Sequence, residues 1–264
     1  MSNTLVTFPG RAGDLLWALP TVRAISESLG SPVDLQIAGE FESLLELLRL
    51  QPYLGHVCAN PHWGMDSWLA PVVVGRDTPY DQVIDLGYRR WPELALPFET
   101  QYTAQSCYGL EAAVDLERPW ITVADSFDVG RLVSGWSDCH FELKVGLHSL
   151  ISNSVRIPTV LAAPGSRWVT ERWGEGERAS TYTWEEAASA LTAADVFLGD
   201  CSALHVLAVA LGKPCVLVEP MEARWNPIFY PLGMDGRVKV VKGLDGKPTF
   251  DARHTADVLR EVLR

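Results

Sequence analysis

Gly199-Asp200-Cys201-Ser202 is a short turn between an apolar run and a helix, and its residue types suit an anion. Asp200 and Ser202 are both good helix N-caps. The free N–H groups and dipole of a first helical turn favour phosphate or carboxylate. His205 follows Ser202 by three residues, where a histidine satisfied in the core or at the surface is the commoner role. Pro9-Gly10-Arg11-Ala12-Gly13-Asp14 is a second loop of this kind. There Asp14 reads as the N-cap of the next helix, and Arg11 as either a solvated charge or a contact to an anionic substrate. Two more loops, Ser134-Gly135-Trp136-Ser137 and Pro164-Gly165-Ser166-Arg167, combine small residues with one cation. Small residues let backbone N–H groups approach a diphosphate, which Arg167 can neutralise. Both loops also read as plain turns, with Arg167 paired to Glu171 along a helix.

The elements around these residues alternate strand and helix. Residues 196–198 are an apolar run, and Leu204, Leu207, Ala208 and Leu211 then recur at helical spacing. Gly212 stands where a left-handed residue ends a helix, and Pro214 prevents continuation. Residues 215–218 form a second apolar run, completing a strand–helix–strand unit of the kind that builds parallel sheets. The chain opens in the same way, with a strand at 5–8 and Leu15, Ala18, Leu19, Val22 and Ile25 at helical spacing. Pro20 leaves the Leu16 carbonyl without its helical donor, which predicts a kink or a start delayed to about Leu19.

A strand at 33–38 and a short helix marked by Phe41, Leu44, Leu45, Leu47 and Leu48 come next. Residues 51–71 are turn-rich and aromatic, including Pro61-His62-Trp63-Gly64, and read as a packed surface loop or the border of an acceptor pocket. Strands are expected at 72–74 and 82–86, a basic aromatic patch at 88–91 and a helix at 102–114. Residues 119–127 read as a linker, giving an N-terminal domain at 1–127 and a C-terminal domain at 128–264. In the second half, strands are expected at 130–135 and 158–163. Helices are expected at 141–150, 169–172, 184–193 and 255–263.

The segment from Gly199 to Val216 resembles the donor-site signature of the lipopolysaccharide heptosyltransferases, an aspartate, a small pair and a histidine opening a helix that ends in Gly-Lys-Pro. Arg11 to Ile25 is similar to that family's Gly-Asp…Pro-x-x-Arg segment, and the two matches stand in the family's order. The resemblance implies an α/β chain of two Rossmann-like domains facing across a cleft, the GT-B type. It also implies glycosyl transfer with inversion from a nucleoside diphosphate sugar, with Asp14 as general base. The donor would be held by Ser134, Gly135, Gly165, Ser166, Arg167, Asp200, Cys201, Ser202 and His205, and Arg11 would face the acceptor.

Composition narrows the alternatives. A net charge of −11 disfavours a general nucleic-acid coat protein, and no apolar run is long enough to span a bilayer. Met1-Ser2-Asn3-Thr4 lacks the basic start of a signal peptide, and five cysteines without C-x-x-C read as reduced thiols, so a cytoplasmic location is expected. Gly174 to Ala179 fits a dinucleotide pattern by letter but reads as a polar loop, because its glutamates repel a pyrophosphate. No zinc-ligand set, nucleophile elbow or D-x-D occurs, so no metal and no cofactor beyond the sugar nucleotide is expected. The acceptor is left open among saccharide, lipid-linked saccharide and modified nucleobase. A non-catalytic nucleotide- or sugar-binding module and a sugar-nucleotide epimerase are the competing readings.

Overall fold

In the computed structural model the residues described are 3–64, 79–86, 118–123, 132–135, 159–161, 167–169, 177–179, 183–199, 202–219, 238–242 and 252–263. The chain divides into two compact units, Met1–Thr122 and Val123–Arg264. The expected elements at 72–74, 88–91, 102–114 and 141–150 lie outside the described residues.

The first unit is built on a four-stranded parallel sheet in the order β3-β2-β1-β4. Strand β1 (Thr4–Phe8) is buried along its whole length, as expected for a central strand covered on both faces. Helix α1 (Ala12–Leu29) follows, and β2 (Val33–Ala38) lies beside β1. A 3₁₀ turn (Gly39–Leu44) and α2 (Leu45–Arg49) lead to β3 (Leu54–Asn60), and β4 (Gln82–Asp85) pairs on the other side of β1. The expectation of a turn-rich stretch at 51–71 is therefore corrected over Leu54–Asn60. Strand β3 is an edge strand with only Leu54 and Val57 buried, so it carries no alternating apolar signal. Its pairing to β2 shifts register between Val33 and Leu35. Asp34 holds this irregularity, accepting the His56 N–H at 2.7 Å and the Tyr80 hydroxyl at 2.8 Å.

Helix α1 begins at Ala12, with Pro20 inside it, so the delayed start is also corrected. The carbonyl that Pro20 cannot serve, that of Leu16, accepts the indole N–H of Trp120 at 3.0 Å. Trp120 is buried and stacks obliquely on Trp17, ring centres 5.9 Å apart. The segment around it is strapped to the unit. Arg23 Nη1 donates to the carbonyls of Pro119 at 3.0 Å and Arg118 at 3.4 Å, and Tyr53 Oη to that of Trp120 at 2.7 Å. Gln51 takes the Thr122 N–H at 2.9 Å and returns its amide N–H to the Thr122 carbonyl at 3.1 Å. Residues 119–122 of the expected linker are thus packed on the first unit, and the division follows directly after them.

The second unit carries a five-stranded parallel sheet in the order β11-β10-β9-β5-β6. Its strands are β5 (Leu132–Gly135), β6 (Thr159–Leu161), β9 (Val196–Gly199), β10 (Cys215–Glu219) and β11 (Val238–Lys242). Strands β7 (Arg167–Val169) and β8 (Glu177–Ala179) pair antiparallel as a separate ribbon. They correct the expected helix at 169–172 at its first residue, and the polar loop at 174–179 over its last three. Helix α3 (Trp184–Ala193) opens with a capping box, Thr183 bonded to the Glu186 N–H and Glu186 to the Thr183 N–H. Helices α4 (Ala203–Ala210) and α5 (Ala252–Val262) complete the unit's described helices. Among the described residues, no helix is long and apolar enough to cross a membrane.

Two predictions follow from these contacts. Trp120→Phe removes the donor to Leu16 and should cost about 1–3 kcal/mol for a buried carbonyl left unpaired. Pro20→Ala restores the helical N–H to the same carbonyl, so in that background the Trp120→Phe penalty should shrink, a coupling read by a double-mutant cycle in urea. The second concerns alkali. Burial first, and then the hydrogen bond and charge of Asp34 with the charge of Cys58, push Tyr80 up to about 12 from the ordinary tyrosine value of 10.0. The unfolded chain therefore loses this proton first, so the contribution of Tyr80 is complete below about pH 10 and lost as pH rises to about 12. Tyr80→Phe should flatten the fall of stability across that window, as measured by urea unfolding at stepped pH.

Candidate functional site

In parallel α/β sheets, ligands lie beyond the carboxyl ends of the strands. In the first unit, β1 runs into Pro9-Gly10-Arg11, and Gly10 curls over the Phe8 ring so closely that a Cβ there would lie 2.4 Å from its Cε1. This tight return starts α1 at once: Leu15 N–H reaches the Arg11 carbonyl at 2.8 Å, and Arg11, not Asp14, is the N-cap. Asp14 instead sits in the first turn, half-buried, where the helix dipole stabilises a carboxylate. Arg11 is exposed. Beside them, the buried Thr7 hydroxyl donates to Asp85 at 3.2 Å, placing a second carboxylate at this edge. Asp85 was missed in the sequence, although its position as the last residue of a short apolar strand was the available signal.

In the second unit, β9 leads through Gly199 to α4, and Ser202 is the N-cap, with an extended backbone (φ −141°, ψ 171°). Its carbonyl takes the Val206 N–H at 3.2 Å, so the helix is properly started. Its hydroxyl makes no capping bond and is buried with no hydrogen-bond partner. Buried hydroxyls are normally satisfied, so an exception invites an explanation. His205, in the same first turn, has no exposed surface. Ser134 and Gly135 end β5, inside the strand expected at 130–135 and before rather than in the loop they were also read to open, and they align with Leu198 and Gly199 of β9. Their backbone is thereby brought beside the strand end that leads into the candidate turn. Arg167 opens β7 opposite Ala179, in the separate ribbon and not in a glycine loop. Gly165, Ser166, Asp200 and Cys201 lie outside the described residues.

The Gly-Lys-Pro end of α4 has a structural role. Gly212 adopts φ 74°, and Lys213 Nζ donates to the carbonyls of Thr192 at 2.5 Å and Ala194 at 3.0 Å, capping the end of α3. The Pro214 carbonyl then accepts the Phe197 N–H at 2.9 Å, joining β10 to β9. Burial pushes the Cys215 thiol far above its usual range. Among the described residues, no three His, Cys, Asp or Glu side chains converge as metal ligands.

One cavity of about 460 Å³ lies in the first unit, at the opposite end of α1 from Asp14. It is lined by Arg23, Ser26, Gln51, Tyr53 and Trp120 among others, and contains none of the expected site residues.

No protein-family model and no curated protein matches this sequence. Solved structures do. The Escherichia coli heptosyltransferase WaaC with ADP-2-deoxy-2-fluoro heptose is 13% identical over 98% of this chain and 99% of that one, with a TM-score of 0.62. The E. coli ADP-heptose lipopolysaccharide heptosyltransferase II is 14% identical over 99% and 98%, with a TM-score of 0.61. A family 9 glycosyl transferase from Veillonella parvula is 12% identical over 99% and 97%, with a TM-score of 0.63. The chain has the α/β fold of these GT-B proteins, as the heptosyltransferase-like motifs led one to expect.

The buried Ser202 hydroxyl generates a stability test. A working N-cap loses about 1 kcal/mol on replacement by alanine. Because this hydroxyl caps nothing, Ser202→Ala should leave the melting temperature unchanged or slightly raised, as read by calorimetry.

Proposed function

We propose that this chain is a glycosyltransferase that moves a sugar from a nucleoside diphosphate sugar to an acceptor hydroxyl. The observation that carries the reading is the unpartnered Ser202 hydroxyl at the start of α4, in a chain of this fold. A diphosphate oxygen supplies the partner that the hydroxyl lacks, and the helix N-terminus favours the same charge. The donor is assigned to the second unit, at Asp200, Cys201 and Ser202, with the backbone of Ser134 and Gly135 beside the end of β9. Gly165, Ser166 and Arg167 are kept as further donor contacts. His205 lies in the first turn of α4, and because it is fully covered, contact with phosphate requires movement of the residues that cover it.

Asp14 is assigned as the general base and Arg11 as an acceptor contact. The carboxylate takes the proton from the acceptor hydroxyl, and that oxygen forms a bond to the anomeric carbon. The bond from that carbon to the diphosphate oxygen breaks, and the electron pair leaves with the diphosphate, inverting the centre. The charge that grows on the leaving group is met at Ser202 and the α4 N-terminus, with no metal called for. The structures similar in fold are described with ADP and an ADP-heptose analogue, which makes ADP-heptose the first donor to test, before ADP-hexoses.

Asp14→Asn should lower transfer by about 10²–10⁴-fold while donor affinity and melting temperature hold. Radiolabelled sugar transfer and calorimetric donor titration read the two separately, and wild-type transfer by this variant would remove Asp14 as the base. Stripping divalent metals with a chelator should leave the transfer rate unchanged, and a loss restored by Mg²⁺ or Mn²⁺ would contradict the metal-independent scheme. Ser202→Glu should abolish nucleotide binding through charge repulsion and steric block. Full binding in that variant would place the donor elsewhere.

A further inference from the structure

The cavity of about 460 Å³ in the first unit is far larger than the voids that packing leaves in an interior, and it is of the size that takes a small ligand. Five rings line it: Pro32, Pro52 and Pro119, which are exposed, and Tyr53 and Trp120, which are buried. The hydrogen-bonding groups between these rings are spent on the fold. Tyr53 Oη donates to the Trp120 carbonyl at 2.7 Å, the Trp120 indole N–H to the Leu16 carbonyl at 3.0 Å, and Ser26 Oγ to the Ser31 carbonyl at 3.0 Å. Gln51 gives its amide N–H to the Leu47 carbonyl at 2.7 Å and accepts the Thr122 N–H at 2.9 Å. The carbonyl end of α1 is closed as well, the Gly30 and Ser31 N–H groups reaching the Glu27 and Ser26 carbonyls at 3.2 and 3.3 Å. The charges of the lining are also engaged. Arg118 pairs with Glu27, and Arg23 Nη1 donates to the carbonyls of Arg118 and Pro119. Burial pushes the Tyr53 hydroxyl above the ordinary tyrosine range, so that ring is neutral.

We propose that this cavity binds an uncharged, flat ring compound, held against the five rings of its lining. Polar groups that are already bonded have little left to offer, so whatever binds here is held by its apolar faces. Aromatic and proline rings supply such faces, and stacking on an aromatic ring adds to the area that is buried. A charged ligand would give up its hydration without a group in place to answer it. Water in the cavity is poorly held for the same reason, and displacing it by apolar surface favours binding. None of the residues assigned to donor, acceptor or base lines the cavity, so the proposal does not depend on glycosyl transfer. Pro119 and Trp120 belong to the strap that closes the unit, and the facing residues to its body. A ring bound between them therefore stabilises the closed unit, at the strap that ends where the first unit ends.

The test uses the full chain with indole, indole-3-acetate and tryptamine, one ring system in neutral, anionic and cationic form. Titrations followed by saturation-transfer NMR should show indole bound about tenfold more tightly than either charged relative. Indole should also raise the melting temperature as its concentration rises. Ser31→Trp fills the cavity from its own lining and keeps the backbone bonds of residue 31, so it should abolish indole binding without lowering the melting temperature. Pro52→Ala, at an exposed position, removes part of one ring and should weaken indole by about tenfold. This second variant carries the test if Ser31→Trp fails to fold. Absence of indole binding, tighter binding of either charged relative, or full indole binding in either folded variant would each overturn the proposal.

Discussion

The first unit depends on a single repaired hydrogen bond. Pro20 sits inside a buried helix and deprives the Leu16 carbonyl of its donor, and Trp120, far along the chain, supplies one. An unpaired carbonyl at such a place is costly, so α1 is complete only when residues 118–122 have come back to cover it. Arg23, Gln51 and Tyr53 then spend their own polar groups on holding that strap. Arg23 and Gln51 are long side chains whose ordering opposes folding, and pairing them with backbone carbonyls satisfies both partners at once. The unit is therefore closed by its own last residues, and its boundary falls after Thr122, inside the expected linker and ahead of the expected division at 127.

This closure makes the two ends of the sheet chemically unlike. At the amino end, the cavity's polar lining is already engaged: Ser26 bonds the Ser31 carbonyl, and Gln51, Tyr53 and Trp120 are bonded to backbone. Asp34 is occupied by Tyr80 and the His56 N–H. Such groups hold the fold together and have little left to offer a ligand. At the carboxyl end the polar side chains are set differently. Arg11, Glu40 and His62 are exposed, and Asp14 is half-buried in a first helical turn. The size of a cavity is thus a poorer guide here than the state of its polar atoms.

What the sequence made legible follows from which signals are local. Strands β1, β9 and β10 are short, largely apolar runs and β2 alternates apolar and polar residues, all in or near the sheet centre, and helices α1 and α4 are framed by glycine and proline, so their places were readable. Strand β3 is an edge strand with only Leu54 and Val57 buried, so it carries little apolar signal, and the sequence reading placed no strand at β11. The repair at Leu16 was invisible for another reason. The problem set by Pro20 is local, but its solution is a tryptophan with no sequence relation to the helix. In the site, Ser202 was found at the correct helix position because N-cap chemistry is local. Asp14 was displaced from N-cap to first turn because Gly10 could fold over Phe8, a packing event that no spacing rule reports. The full burial of His205 likewise depends on neighbours that the motif does not specify.

The donor-like motif itself separates into two kinds of residue once the contacts are known. Gly212 supplies a left-handed turn, Lys213 caps α3, and Pro214 passes its carbonyl to β9. Each has a task that the fold alone explains, and each would be needed in a chain that bound nothing. Similarity in these residues therefore carries information about strand–helix–strand geometry and none about phosphate. Ser202 is different. Its backbone starts α4 without help from its hydroxyl, and that hydroxyl is buried without a hydrogen-bond partner. Folding leaves this group unsatisfied at the carboxyl edge of a parallel sheet, so the backbone tasks that explain Gly212, Lys213 and Pro214 do not explain the Ser202 hydroxyl.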